Sequence, residues 1–215
     1  MPELYIITGS NGAGKSSIGF NFLPEYIQKN YPIFDGDKLF VKKQRELWNS
    51  GVKSHKEAKK LAYQFVTDTF DRLVEEALSA KENLVYEGHF TNDATWDIPK
   101  QFKAQGYYIN LIFLGLTDPD TSELRVINRV KEGGHFVPRL TVEDNFFGNL
   151  EKLDQHYPVI DDLTIIDTSA NIHLLLAHFK DEKIAYAVSY EHLPHWFTKN
   201  LKRLTNAILK SQSIN

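Results

Sequence analysis

"ELYIITGSNGAGKSS", residues 3–17, decides the fold. Its opening "ELYIIT" is a short apolar run, which reads as a strand buried in a parallel sheet. The loop that follows, residues 9–17, satisfies G-x-x-x-x-G-K-[ST] through Gly9, Gly14, Lys15 and Ser16. A helical pattern comes next, so the loop sits where a phosphate cradle must sit, between a strand and a helix. Glycines let the backbone approach a ligand with its N–H groups pointing inward. A helix starting near Lys15 adds the positive end of its dipole. Gly9, Ser10, Asn11, Gly12, Ala13, Gly14, Lys15, Ser16 and Ser17 are therefore the candidate residues for binding ATP or GTP. Lys15 is expected to reach the β- and γ-phosphates, and Ser16 to offer its hydroxyl to Mg²⁺.

Outward from this loop, short apolar strands alternate with helical patterns. Strands are expected at 31–37, 82–88, 106–116 and 163–169, with helices over 15–29, 38–50, 54–80, 93–105, 118–130 and 142–157. Pro24 is expected to end or kink the first helix. Leu61, Phe65, Phe70, Leu73 and Ala77 form the expected apolar stripe of the 54–80 helix. Alternation of this kind implies parallel crossovers, hence an α/β three-layer fold with a mainly parallel central sheet. Two β-rich runs around "KDEK" read as a hairpin, and Trp196, Phe197, Leu201, Leu204 and Ile208 as the stripe of a closing helix. The expectation is one domain over 1–215, with a lid region at about 118–158 and the hairpin plus helix at about 171–211.

Composition fits this reading. Of the 215 residues, 42% are hydrophobic, enough for a sizeable core. A net charge of −3 gives no global pull towards nucleic acid or an anionic membrane. No run of apolar residues is long enough to span a bilayer, and the N-terminus has no signal-peptide pattern. With no cysteine there is neither a disulfide framework nor a thiolate metal site, and a cytoplasmic protein is expected.

In an open α/β sheet, ligands bind beyond the carboxyl ends of the strands. Those ends carry Asp35 and Asp37 of "FDGD", and Glu87, Gly88 and His89 of "VYEGH". A carboxylate at the first place can take a proton from an attacking hydroxyl or hold Mg²⁺ through water. It can equally cap the helix that follows, since Asp is a favoured N-cap. Glu87 reads as a ligand for hydrated Mg²⁺ or for an acceptor hydroxyl, or as a solvated strand-end carboxylate. Arg125 and Arg129 share a helix face, Arg139 follows, and Gly133 with Gly134 reads as a hinge. Lid arginines can stabilise a transferring phosphoryl group, but the same residues suit an ordinary solvated helix.

Taken together, the order "GSNGAGKS", "FDGD", "VYEGHFT", "NRVKEGGHFVPRLT", "NLEKL" resembles the zeta-toxin-like P-loop kinases over roughly residues 4–170. The resemblance implies an ATP- and Mg²⁺-dependent kinase that phosphorylates a small-molecule acceptor, in zeta toxins a nucleotide-sugar. It implies Asp37 as base, Arg129 and Arg139 on the transferred phosphate, and Glu87 as an acceptor contact. Asp37, Gly88 and His89 are further candidates for the acceptor side, His89 reading equally as a satisfied polar residue. It also implies an antitoxin protein as partner. Two segments depart from the family pattern. "HFTN" (89–92) replaces a Thr followed by Arg, and the acidic "VEDN" (142–145) stands where relatives carry arginines. Those departures motivate the alternative expectation, a nucleotide-binding regulatory module without phosphotransfer.

Overall fold

A computed structural model of the chain describes residues 1–131 and 136–213. One seven-stranded sheet runs through it in the order β2-β3-β1-β4-β5-β6-β7. The strands are β1 (Glu3–Gly9), β2 (Phe34–Asp35), β3 (Leu84–Glu87), β4 (Tyr108–Gly115), β5 (Asp162–Asp167), β6 (Leu174–Lys180) and β7 (Lys183–Ala187). The first five pair in parallel, and the β6–β7 hairpin adds antiparallel to β5. In β1, every residue from Leu4 to Gly9 is buried, and so is every residue from Leu111 to Gly115 in β4. Successive side chains of a strand point to opposite faces, so both faces of these strands are covered and the α/β layers follow.

The helix expected over 15–29 is broken. Only Lys15–Ile18 (α1) is α-helical, followed by a 3₁₀ turn at Gly19–Phe22 and by α2 (Glu25–Asn30). Pro24 stands as N-cap of α2, with Glu25 in the first turn. It therefore starts a helix instead of kinking one, as its fixed φ and missing N–H allow. The strand expected at 31–37 shrinks to two residues because α3 (Gly36–Asn49) begins at once, capped by the Asp35 side chain, which accepts from Lys38 N at 2.8 Å.

Helix α4 (His55–Ala80) starts on Ser54, whose side chain accepts from the Glu57 N–H. Its expected stripe holds only in part. Leu61 and Phe65 are about two-fifths exposed (41% and 39%), and the buried positions are Ala58, Ala62, Val74 and Ala77. The reason is that the first half of α4 packs against α3, through Tyr63 on Phe40 and Lys43 over Phe65. The second half reaches the sheet, where Phe70 meets Phe34 and Tyr86.

Beyond α5 (Asp97–Ala104) and β4, α6 (Pro119–Lys131) and α7 (Arg139–His156) occupy the expected lid region. Gly133 and Gly134 lie outside the described residues. Helix α7 begins three residues earlier than expected, directly after Pro138. The closing helix is two helices, α8 (His195–Asn200) and α9 (Lys202–Gln212), broken at Leu201. Its predicted stripe is buried throughout. Buried Asp154 of α7 caps α9, accepting from the N–H groups of Arg203 and Leu204. Among the described residues, no helix is long and apolar enough to cross a membrane.

Candidate active site

The loop between β1 and α1 is held from behind. Thr168 Oγ1 donates to the Ala13 carbonyl at 3.0 Å, Arg125 Nη1 to the Gly12 carbonyl, and Ser122 Oγ to the Asn11 carbonyl. Asn145 Nδ2 donates to Asn11 Oδ1 at 2.8 Å. Helices α6 and α7 and the end of β5 thus grip the loop's outer edge. Gly9, at φ 140°, could not be another residue, since a Cβ there would lie 2.2 Å from the Leu114 carbonyl oxygen. Ser10 Oγ is buried without a hydrogen-bond partner among the described residues.

Lys15 Nζ donates to the carbonyls of Gly9 (3.0 Å) and Ser10 (3.1 Å). Burial pulls its pKa down to about 8, against the pull of the Glu87 and Asp37 carboxylates, while Arg129 lowers it further. Ser16 Oγ donates to Glu87 Oε1 at 2.6 Å. Glu87 stands beside Asp35 because β2 and β3 pair with those two residues in register. Burial pushes the Glu87 carboxyl up to about 7 and Asp35 adds to this, against the Ser16 hydroxyl and Lys15.

This has a stability consequence. The folded protein holds the Glu87 proton more tightly than the unfolded chain does. That contribution is complete below about pH 4.5 and is lost as pH rises through about 7. Gln mimics the protonated form at every pH. Glu87→Gln should therefore raise the melting temperature of the ligand-free protein at pH 8 by at least about 2 °C, with the gain vanishing near pH 4. Calorimetry across pH 4–8 checks this, and an unchanged or lower melting temperature at pH 8 contradicts it.

Lys15, Ser16, Asp35, Asp37, Glu87, Arg125 and Arg129 line one cavity of about 780 Å³. Asn11, Gly12, Gly14 and Ser17 of the loop line it too, as do Lys38, Lys42 and Arg45 of α3. Asp37 projects from the first turn of α3 and is exposed to this space. Asp35 does what the capping reading asked and also lines the cavity. Gly9, Ser10 and Ala13 of the loop lie behind that lining, and Gly88, His89 and Arg139 also fall outside it. Gly88 uses its N–H on the Ile7 carbonyl. His89 lies against Asn11, Lys15 and Asn149, outside the cavity lining. Arg139 pairs with Asp120, Glu123 and Glu143. A cation at the first position of a helix opposes its dipole, and these three carboxylates offset that while joining α6 to α7.

Sequence reasoning missed Thr168, Asn145, Asn149, Lys42 and Arg45. Thr168 follows β5, so the strand-end rule that found Glu87 also points to it. Lys38, Lys42 and Arg45 recur at helical spacing on one face of α3. Asn149 interrupts the buried apolar run Phe146, Leu150, Leu153 of α7, and such an interruption is the available signal.

The family model for zeta toxin matches residues 1–178. The chain belongs to the zeta toxin family. Helices α8 and α9 lie beyond the matched residues. No curated protein matches the chain. Among solved structures, the zeta-family chain is similar to AvrRxo1-ORF1:-ORF2 determined with ATP, at 15% identity and a TM-score of 0.68. The alignment covers 94% of this chain and 64% of that one, so the chain spans under two thirds of its neighbour's length. It is also similar to the PezAT chromosomal toxin-antitoxin system of Streptococcus pneumoniae, at 18% identity and a TM-score of 0.61, covering 100% of this chain and 88% of that one. At such identities the likeness shows a shared fold.

Proposed function

We propose that this zeta-family protein is an ATP-dependent kinase that transfers a phosphoryl group to the hydroxyl of a small-molecule acceptor. The observation that carries this is one cavity lined by a phosphate-loop lysine, three strand-end or helix-start carboxylates and a lid-helix arginine. A nucleotide carrier alone has no need of Asp37 in that position. Ser16 with the carboxylates of Asp35 and Glu87 offers the hard oxygen donors that Mg²⁺ takes. When bound, the ion would supply charge neutralisation on the phosphates.

The chain's own groups then divide the work. Lys15 leaves the carbonyls of Gly9 and Ser10 to hold the β- and γ-phosphates. Asp37 takes the proton from the acceptor hydroxyl as oxygen attacks phosphorus. Arg129 stabilises charge on the equatorial oxygens. Arg139 contributes only when its three exposed ion pairs open, which such pairs do readily. The acceptor is a nucleotide-sugar in this reading, with Lys38, Lys42 and Arg45 of α3 facing its phosphates. The PezAT name describes a toxin-antitoxin system, and an antitoxin protein is the partner proposed here.

The test incubates purified protein with Mg²⁺, γ-labelled ATP and a panel of nucleotide-sugars. Label on at least one acceptor is expected. Tight ATP binding with no label on any acceptor would instead favour a regulatory nucleotide-binding module.

A further inference from the structure

We infer that a second cavity, which adjoins the first on the side of α1 and α2, is the subsite for the sugar ring of the acceptor, with Phe20 beneath the ring and Gln28, Asn30 and Tyr31 reading its hydroxyls. The inference deepens the proposed function and rests on its nucleotide-sugar acceptor.

This cavity holds about 540 Å³, within the range that small-molecule sites take. Its walls come from α1, the 3₁₀ turn after it, α2 and the segment leading into β2. It shares Lys15, Ser16, Asp35, Lys38 and Glu87 with the larger cavity, so the two spaces meet at one junction. Lys15 brings the transferred phosphoryl group to that junction, and the acceptor hydroxyl must come within reach of it there. Asp37 lies in the chain between two junction residues, Asp35 and Lys38.

The walls on the two sides of the junction differ in chemistry. Beyond Lys38, the larger cavity carries Lys42 and Arg45 of α3, a row of cations that fits a diphosphate. The second cavity offers a ring and uncharged hydrogen-bonding groups instead. Phe20 lines it and is 42% exposed, so a ligand that covers this ring gains apolar burial. Gln28 Nε2 donates to the Leu23 carbonyl at 2.7 Å, and Asn30 Nδ2 to the Tyr26 carbonyl at 2.7 Å. A carbonyl only accepts, so these contacts fix which amide atom is the nitrogen. Both amide oxygens are left to accept. Among the described residues neither has a hydrogen-bond partner, nor does the Tyr31 hydroxyl on the same wall.

A sugar matches this set. The face of its ring presents C–H groups that pack on an aromatic face, and its edge presents hydroxyls that donate to amide oxygens. A nucleobase would set its own carbonyl and ring-nitrogen acceptors against those oxygens, whereas every sugar hydroxyl can turn its proton towards one. The acceptor then spans the junction. Its phosphates lie along α3, its sugar lies over Phe20, and the reacting hydroxyl is on the sugar between them. Selection among sugars falls to Gln28, Asn30 and Tyr31.

Calorimetry with paired probes tests this. Each pair differs only in the sugar: UDP-glucose, UDP-galactose and UDP-N-acetylglucosamine against UDP, and GDP-mannose against GDP. The whole protein should bind at least one nucleotide-sugar about tenfold more tightly than its parent diphosphate. Phe20→Ala and Asn30→Ala should each cut that ratio to about threefold or less, with affinity for the parent diphosphate within about threefold of wild type. Both side chains are exposed, so neither change empties the core. Lys42→Ala should instead weaken both members of a pair alike and leave the ratio intact. A ratio near one for every pair in the wild-type protein overturns the inference, as does a ratio that both variants keep. Equal losses for sugar and parent diphosphate in both variants also overturn it, because they put the nucleotide part in this cavity. Binding is read without turnover, so the two readings fail separately. Label transfer without a sugar-dependent ratio leaves the kinase standing and removes this subsite. A sugar-dependent ratio lost in the variants, without label transfer, keeps the subsite and removes the kinase.

Discussion

Replacing Asp37 with asparagine should cut phosphotransfer about 10²–10⁴-fold, the usual worth of a positioned general base. ATP affinity should stay within about threefold, since Asn at the first turn of α3 removes a charge but no loop contact. The split between turnover and binding is the informative part. Asp37 lines the cavity opposite the loop, whereas Asp35 is engaged by the Lys38 N–H. Capping thus falls to Asp35, and Asp37 is left facing the cavity. Asp35→Ala, which removes the cap, should weaken α3 while leaving more turnover than Asp37→Asn. Steady-state kinetics on both variants, with ATP titration, checks this. Unchanged turnover in Asp37→Asn would take the base role from that residue.

Trp196→Ala should be the most destabilising single change. Removing a buried tryptophan costs about 3–5 kcal/mol, which for a chain of this size lowers the melting temperature by about 10 °C. Trp196 is 2% exposed and its ring lies against Phe113 and Phe197. It fills the space that Gly115 leaves open, where a Cβ would come 2.2 Å from the ring. The effect should extend to the nucleotide site. Trp196 Nε1 donates to Asp167 Oδ2 at 3.4 Å, and Asp167 Oδ1 accepts from the Ser169 N–H at 2.8 Å. The carbonyls of Thr168 and Ser169 in turn accept from Arg125, which also holds Gly12. Weaker ATP binding is expected alongside the lower melting temperature. A shift under about 2 °C in scanning calorimetry would mean the pocket collapses around the loss.

Much of this was legible in the chain itself. The strand–loop–helix at the start, the parallel strands and the strand-end carboxylates follow from local pattern and one rule about sheets. What local pattern does not carry is a partner that lies far away in sequence. Leu61 and Phe65 read as core, yet both are about two-fifths exposed, with Lys43 of α3 lying over Phe65. Arg139 reads as a phosphate ligand, and nothing local shows that Asp120 and Glu123 of α6 pair with it. His89 reads as facing the acceptor, and nothing local shows that Asn149, 60 residues later, lies against its ring. No periodicity carries such information, because the pairing exists only once α7 packs on β1 and the β3 end.

The sheet order also bears on how the chain is made. Strand β1 emerges early, yet its neighbours β3 and β4 begin at Leu84 and Tyr108, and the tryptophan that braces the nucleotide end is residue 196. During synthesis the apolar "ELYIIT" has no strand to pair with for some 80 residues of elongation. Non-local pairing of this kind folds slowly and leaves apolar strands exposed in the interim. A ribosome-bound nascent chain should therefore lean on chaperones, and its phosphate loop should be completed only after Trp196 has cleared the exit tunnel.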